Sequence, residues 1–351
     1  MFNIIVVNSR FLTQPISGVQ RFAIEISKEL KKSNLKIVFL APKNILHHEL
    51  AEELDVKLLG KLKGHLWEQI ELQAYVFKHH AFLISFCNTG PFFVKNQIVT
   101  IHDLCFKIHP EWFSKSFSLF YNLLIPQLVK ISKAIITVSN VSKNELMLMF
   151  NVPEKKIIVI YNAVASIFEE KGMTNIVESE RPIIDDYILT VSSHHPRKNF
   201  DRLVNAFKNI KYEKLKLCIV GNMYENFNSK ELSDVDNVLY LKNISDEELL
   251  GYYRHAKVFV FASLYEGFGI PIIEALKLGK PVCISDIPVF HEICNQNALY
   301  FDPYNVEDIR EKILQILNNP KCQSNIDLKR FSWKDGALKI SNLIRELTLG
   351  C

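Results

Sequence analysis

Continuous apolar runs alternate with longer amphipathic stretches along almost the whole chain. One series of runs covers residues 3–8, 35–41, 56–59, 82–86, 97–101, 134–139 and 157–161; a second covers 187–191, 215–220, 238–241, 258–262 and 281–285. Short unbroken apolar runs predict strands covered on both faces, as in a parallel sheet. The stretches between them carry helical spacing. Phe22, Ile26 and Leu30 fall on one face of a helix that starts near Gly18-Val19. Trp67, Ile70, Leu72 and Val76 share the core-facing side of another. Further helices are predicted over residues 112–133, after the cap sequence SNVSKNEL with Ser142 three residues before Glu145, and over 200–210. Others run from the Ser245-Asp246-Glu247-Glu248 cap to Ala256, over 305–318 and over 331–347. Strand and helix alternate in both halves, so the expected class is α/β, with two doubly wound, Rossmann-like parallel sheets.

The pattern lapses once. Residues 166–185, SIFEEKGMTNIVESERPIID, are polar, charged and weakly periodic. They place a linker at 166–184 between a first domain, 1–165, and a second, 185–330. A length of 351 residues suits two domains.

Within the second half, VFVFASLYEGFGIPIIEALKLGKPVCISDIP is the most informative stretch. A buried strand is followed by a loop, residues 263–269, and then by a helix with Pro271 in its first turn. Ile272, Ile273, Leu276 and Leu278 form that helix's core face, and Gly279 closes it. Glu266 precedes Gly267-Phe268-Gly269, and Glu274 lies one turn into the helix. Unpaired N–H groups and the positive dipole end suit a diphosphate there. Gly267 and Gly269 let backbone N–H groups approach it closely. Glu274 can accept hydrogen bonds from vicinal ribose hydroxyls, and Glu266 from a sugar ring. Either glutamate alone reads equally as a solvated charge. The pair around a Gly-x-Gly loop, between a buried strand and a Pro-started helix, favours a ligand site.

Other candidates lie at strand ends, where open α/β sheets hold ligands. Arg197 and Lys198 at the mouth of a helix read as a diphosphate clamp or as solvated charge. Gly221 ends a strand expected to line a nucleobase pocket. His102 leaves a buried strand on the ligand side, although a lone histidine is more often structural. Asp103 either fixes the turn or orients the imidazole. Gly18 either approaches phosphates or simply begins its helix.

The segment SLYEGFGIPIIEALKLGKPV resembles the E-x7-E region of the retaining glycosyltransferases of family 4, which have the GT-B fold. TIHDLCFKIHPEWFS looks like the HDL-x-x-x-x-x-P-E-W-F segment of that family's bacterial mannosyl- and rhamnosyltransferases, and PRKNFDRLVNAF resembles its PRKN segment. The resemblance implies that Glu266 and Glu274 bind the donor sugar and the ribose, with Gly267, Phe268 and Gly269 between them. It implies that Arg197 and Lys198 neutralise the leaving diphosphate, that His102 sits against the donor sugar, and that Gly18 belongs to a turn near phosphates and acceptor. The last helix, within 331–351, is expected to cross back to the first domain. Two departures stand out: Ser17 where a second glycine is common, and Ser192-Ser193 where relatives carry Gly-Arg.

The implied reaction moves a hexose, mannose or rhamnose by preference, from a nucleotide diphosphate sugar to a glycan or polyprenyl-diphosphate-linked glycan. Surface polysaccharide, such as lipopolysaccharide O-antigen or capsule, would be its product. Retention implies front-face attack, with the leaving phosphate taking the proton. No cofactor and no metal are expected, since cations and a helix dipole can serve the leaving group. A GT-B nucleotide-sugar epimerase and a non-catalytic glycan-binding subunit stay open as alternatives. A dehydrogenase is disfavoured, because no G-x-G-x-x-G follows the first strand.

Charge adds one feature. The net +4 divides into +7 for residues 1–165 (19 Lys+Arg against 12 Asp+Glu) and −3 for the rest (23 against 26). The basic half reads as solubilising charge or as an attraction for anionic lipid or acceptor. Lys61, Lys63, His65, Leu66 and Trp67 mix cations with apolar groups, as do the aromatic residues 112–133 with Lys115, Lys130 and Lys133. Both are candidate faces for peripheral contact with an anionic membrane, although the first reads better as a core helix with a solvated face. No window approaches the roughly 20 apolar residues of a membrane span. MFNIIVVNSR lacks the basic start and cleavage site of a signal peptide. Seven cysteines without CxxC spacing suit a reducing cytoplasm rather than a zinc site. No nucleic-acid partner is expected.

Overall fold

The computed structural model describes every residue except 1, 3, 169–183, 185, 213, 222–236, 321–325 and 350–351. It divides into two compact units, Met1–Asn162 with Phe331–Cys351, and Ala163–Arg330. The linker expected at 166–184 lies largely outside the described residues.

The first unit is built on strands β1 (Ile5–Asn8), β2 (Ile37–Ala41), β3 (Lys57–Leu58), β4 (Phe82–Ser85), β5 (Gln97–Thr100), β6 (Ala134–Thr137) and β7 (Ile157–Val159). Their order is β3-β2-β1-β4-β5-β6-β7, and every pairing is parallel. Val7 pairs with Phe39 on one side and Ile84 on the other. The chain direction of winding reverses at β1 and β4, which makes their C-terminal ends the switch point of the sheet. Val6, Leu83, Ile98 and Ile135 are fully buried, as continuous apolar runs require.

Ser17 caps the helix Gly18–Lys31 in a capping box with Gln20, and Phe22, Ile26 and Leu30 are buried on its inner face. The helix Trp333–Leu349 returns to this unit and packs there. The Trp333 ring lies 5.8 Å from Phe22. Gly336 permits the close approach: a Cβ there would stand 2.8 Å from Ile160 and 3.2 Å from Ile26. Two doubly wound parallel sheets and a last helix on the first of them are the architecture expected from the sequence.

Two local expectations need correction. The helical stretch 64–78 winds as a π turn over Trp67–Leu72, and this turns Ile70 outward to 55% exposure while Trp67, Leu72 and Val76 stay buried. Trp67 therefore belongs to the core and not to a membrane face. Ser139, not Ser142, caps the helix Asn140–Phe150: its hydroxyl accepts from the Ser142 N–H at 3.0 Å. The long aromatic helix covers most of residues 112–133, as expected, running from Lys115 to Ile131 with Ser114 as its cap and Pro126 inside it.

The second unit carries β8 (Tyr187–Val191), β9 (Lys216–Val220), β10 (Val238–Leu241), β11 (Val258–Phe261), β12 (Val282–Ser285) and β13 (Leu299–Phe301). They pair in parallel in the order β10-β9-β8-β11-β12-β13. Here the switch point falls between β8 and β11. Leu203, Val204 and Phe207 pack with Leu217, Ile219, Val258 and Val260 beneath the helix Phe200–Lys208 and against Ile309 and Ile313. Each such side chain contributes on the order of 1.5–3 kcal/mol when fully buried. Ser245 and Glu248 form a reciprocal capping box for the helix Asp246–His255. No helix among the described residues is long and apolar enough to cross a membrane.

Candidate active site

Two loops meet at the second switch point. One leaves β8 and ends in the 3-10 turn Pro196–Lys198; the other leaves β11 and carries Ser263 to Gly269. The Leu264 N–H donates to the Arg197 carbonyl at 2.7 Å and stitches them together. Asn199, in the left-handed region at φ 58°, donates its amide to the carbonyls of Ala262 (3.1 Å) and Pro303 (2.7 Å). It thereby fixes the loop after β8 to the ends of β11 and β13. Asparagine tolerates that conformation better than most side chains.

Held in this way, Lys198 donates to Glu266 Oε1, and Arg197 Nη1 lies 3.5 Å from Glu266 Oε2. Ser263 Oγ donates to Glu266 Oε1 at 2.8 Å. The Lys198 ammonium also stands 5.0 Å from the centre of the Phe261 ring. Burial would raise the Glu266 carboxyl, but the charges of Arg197 and Lys198 and the bonds from Lys198 and Ser263 outweigh it and hold the pKa below 4.5. Lys198 is 9% exposed and committed to this pair, whereas Arg197 is 24% exposed. Arg197 is therefore the cation better placed to reach an incoming anion.

The helix Ile270–Lys277 starts at Gly269, whose φ of 136° and tight surroundings suit only glycine: a Cβ would stand 3.0 Å from Ile272 and 3.2 Å from Phe290. Pro271 sits in its first turn, and Gly279 follows it at φ 67°, both as expected. Gly267 and Phe268 are buried in the loop. Glu274 is buried, and its Oε2 accepts from the Tyr253 hydroxyl at 2.9 Å. Burial, and then the Glu274 charge, push the Tyr253 phenol well above 10, so it remains a neutral donor. Gly221 ends β9 with φ 156°, and a Cβ there would collide with the Ser192 carbonyl at 1.9 Å.

Arg197, Lys198 and Glu266 are thus in direct contact. Gly221 abuts the loop that carries them, and Glu274 lies a turn inside the adjoining helix. Tyr253, Ser263 and Asn199 escaped sequence reasoning as site-supporting residues. Tyr253 lies in an amphipathic helix where it reads as core, and nothing in its spacing points to Glu274. Asn199 alone had a signal, its place beside the two cations.

His102 and Gly18 lie in the first unit. His102 leaves β5 and is buried, with Nε2 donating to the Phe86 carbonyl at 2.8 Å, which assigns the proton to that nitrogen. Its ring meets Phe22 edge-on at 5.1 Å. Burial lowers its pKa below 6.5, more than the Phe86 bond and the Asp103 charge raise it. Asp103 Oδ1 accepts from the Cys105 N–H at 3.0 Å, which is the turn-fixing alternative. Gly18 is the exposed first residue of its helix and does not have a positive φ.

Among the described residues no three His, Cys, Asp or Glu side chains gather as a metal-holding group. One D-x-D spacing, the metal signature of the other main glycosyltransferase fold, does occur in the chain at Asp234-Val235-Asp236. It lies outside the described residues.

Two family descriptions match the chain: Glycosyltransferase Family 4 over residues 16–166 and glycosyl transferases group 1 over residues 174–331. The O-antigen chain mannosyltransferase RfbU of Salmonella typhimurium is 30% identical over 262 residues, 72% of this chain and 70% of that protein. O-antigen chain mannosyltransferase B of Escherichia coli is 25% identical over 95% of this chain and 97% of that one. Among solved structures, sucrose-phosphate synthase from Thermosynechococcus elongatus matches with a TM-score of 0.72 at 17% identity over 99% of each chain. WaaG, a glycosyltransferase involved in lipopolysaccharide biosynthesis, matches at 0.68 and 15% identity, over 97% of this chain and 95% of that one. The two parallel sheets are those of a GT-B glycosyltransferase. The chain belongs to glycosyltransferase family 4.

Proposed function

We propose that this transferase moves a hexose, mannose before rhamnose, from a nucleotide diphosphate sugar to a glycan or polyprenyl-diphosphate-linked glycan in O-antigen or capsule synthesis. Anomeric configuration is retained. The observation that carries the reading is the Lys198–Glu266–Arg197 constellation across the switch point of the second sheet. Opposed charges fixed before the ligand arrives cost no reorganisation during the reaction. The N–H groups at Gly269–Ile270 and the Arg197 fork take the diphosphate, and Glu274 takes the ribose. As the glycosidic bond breaks, negative charge grows on the departing phosphate, and Arg197 meets it. Glu266 holds both cations in place and offers its remaining acceptor capacity to the sugar. Neither glutamate acts as a nucleophile. The mannosyltransferase names of the relatives support mannose, and Anabaena HepE, solved with UDP and glucose, supports a nucleotide diphosphate.

The reaction takes place at the cytoplasmic face of the membrane, without metal. Leu66, Ile70 and Phe77 are exposed along residues 64–78, as are Leu119 and Leu123 on the helix Lys115–Ile131. With Lys61, Lys63 and Lys115 they support peripheral contact with anionic lipid.

Incubation with GDP-, UDP- and dTDP-sugars, with and without glycan acceptors, tests the reading. Nucleotide release that requires acceptor is expected. Release of an altered sugar without acceptor would indicate an epimerase, and no turnover with any donor would indicate a binding subunit.

A further inference from the structure

Arg197 is held by its backbone on both sides. Its carbonyl accepts from the Leu264 N–H at 2.7 Å, and its own N–H donates to His195 Nδ1 at 3.3 Å. His195 is the N-cap of the turn Pro196–Lys198, with extended backbone at φ −142° and ψ 145°. Pro196 takes the first position of the turn and has no N–H, so the Arg197 N–H is the first that a cap must satisfy. The turn is closed by the Lys198 N–H on the His195 carbonyl at 2.8 Å and by the Asn199 N–H on the Pro196 carbonyl at 3.1 Å.

Ser, Thr, Asp and Asn are the usual caps, and each offers a side-chain oxygen. Here an imidazole nitrogen does the same work. An Nδ1 that accepts carries no proton, which assigns the ring proton to Nε2.

The preceding residue seats the segment. His194 is 5% exposed, and its ring lies 4.8 Å from Phe200 and 5.5 Å from Tyr240. Its buried Nε2 makes no hydrogen bond among the described residues. Packing therefore fixes where the loop lies, and the His195 bond fixes how the Arg197 peptide is turned. That orientation sets the root of the guanidinium before a ligand arrives. A displacement of about 1 Å at a reacting group can cost on the order of a hundredfold in rate.

We infer that His195 is the positioning residue of Arg197: its ring nitrogen fixes the turn from which the guanidinium meets the departing diphosphate. The inference rests on the transferase reading above and deepens it, by assigning the aim of the cation to a side chain outside the Lys198–Glu266–Arg197 constellation.

The test compares wild type with His195→Ala, which removes the acceptor, and His195→Asn, whose Oδ1 can cap the same N–H. His195→Leu keeps side-chain bulk without an acceptor and replaces the alanine variant if that one does not fold. Turnover is measured with GDP-mannose, UDP-glucose and dTDP-rhamnose and glycan acceptors, and hydrogen exchange of the Arg197 amide is followed by NMR. In His195→Ala, kcat is expected to fall about tenfold with donor KM within about twofold, and His195→Asn should recover to within about twofold of wild type. Added to Arg197→Ala, His195→Ala should lower kcat no further, since it acts through the missing cation. Exchange at Arg197 should quicken about tenfold in His195→Ala and stay near wild type in His195→Asn.

Unchanged Arg197 exchange in His195→Ala, or unchanged kcat, overturns the inference. So does an equal loss in His195→Asn, which would make the ring and not its acceptor the active feature. A loss that persists in full beside Arg197→Ala overturns it too. Quickened exchange that His195→Asn reverses, in a protein that turns over none of the donors, keeps the hold on Arg197 and removes the transferase reading instead.

Discussion

Tyr253 and Glu274 are joined by a hydrogen bond of 2.9 Å, phenol to carboxylate, inside the second unit. The hydroxyl also lies 3.3 Å from the Pro271 carbonyl, so one buried tyrosine ties its own helix to the start of the helix that carries Glu274. Tyr253→Phe removes that tie without opening a cavity. A buried carboxylate that loses one partner costs about 1–3 kcal/mol. A lowered Tm and a donor KM raised about threefold to tenfold are expected, with kcat little changed. Glu274→Ala should raise the donor KM further or abolish turnover while the fold persists.

Lys198 and Arg197 touch the same carboxylate but should fail differently. Lys198→Ala leaves Glu266 buried with Arg197 at 3.5 Å as its remaining cation. Breaking a buried pair from one side costs about 3–5 kcal/mol, which urea unfolding would register. Arg197→Ala removes the more exposed cation. Its stability loss should stay near 1 kcal/mol, while kcat falls on the order of a hundredfold or more, as when a donor to developing charge is removed.

Acid stability follows from the same contacts. Glu266 is held below its ordinary 4.5 in the folded protein, and so is the buried Glu68, where the Arg10 charge and the His65 and Asn8 contacts outweigh the burial that would raise it. A depressed folded pKa means that the unfolded chain binds protons first as pH falls. The stability is therefore fully present above the unfolded value and is lost as pH drops through the folded one. His102 acts in the same sense at higher pH: buried neutral, it gives stability above 6.5 that declines below it. Glu266→Gln should flatten the fall in unfolding free energy below about pH 4.5, and His102→Gln the fall below about pH 6.5, both read by urea titration at stepped pH.

Two glycines separate space from conformation. Gly221→Ala places a Cβ 1.9 Å from the Ser192 carbonyl, a backbone atom that cannot turn aside. A loss of several kcal/mol or failure to fold is expected. Gly279→Ala meets no neighbouring atom and pays only for φ 67°, about 1–2 kcal/mol. Thermal unfolding of the two variants checks the order.

Much of this was legible in the sequence because buried parallel strands leave continuous apolar runs. Residues 187–191 and 238–241 match β8 and β10 end for end. The loop and helix around Glu266 and Glu274 were legible through Pro271, Gly269 and Gly279, whose backbone demands are local. Ile70 was not, because a π turn shifts the helical register by one residue and periodicity assumes a constant pitch. The pairing of Lys198 with Glu266 was not either, since it depends on two loops 68 residues apart meeting at a switch point. The Arg10–Glu68 cluster stayed hidden for the same reason: its members, Asn8 and Arg10, His65 and Glu68, and Thr89, come from three separate segments.

Calorimetric titration with GDP-mannose, UDP-glucose and dTDP-rhamnose of wild type and Glu274→Ala addresses the donor site most directly. One of these donors should bind wild type, and bind the variant at least about tenfold more weakly with the fold intact. Binding of none of them, or binding by the variant as tight as by wild type, would contradict a donor site at the ends of β8 and β11.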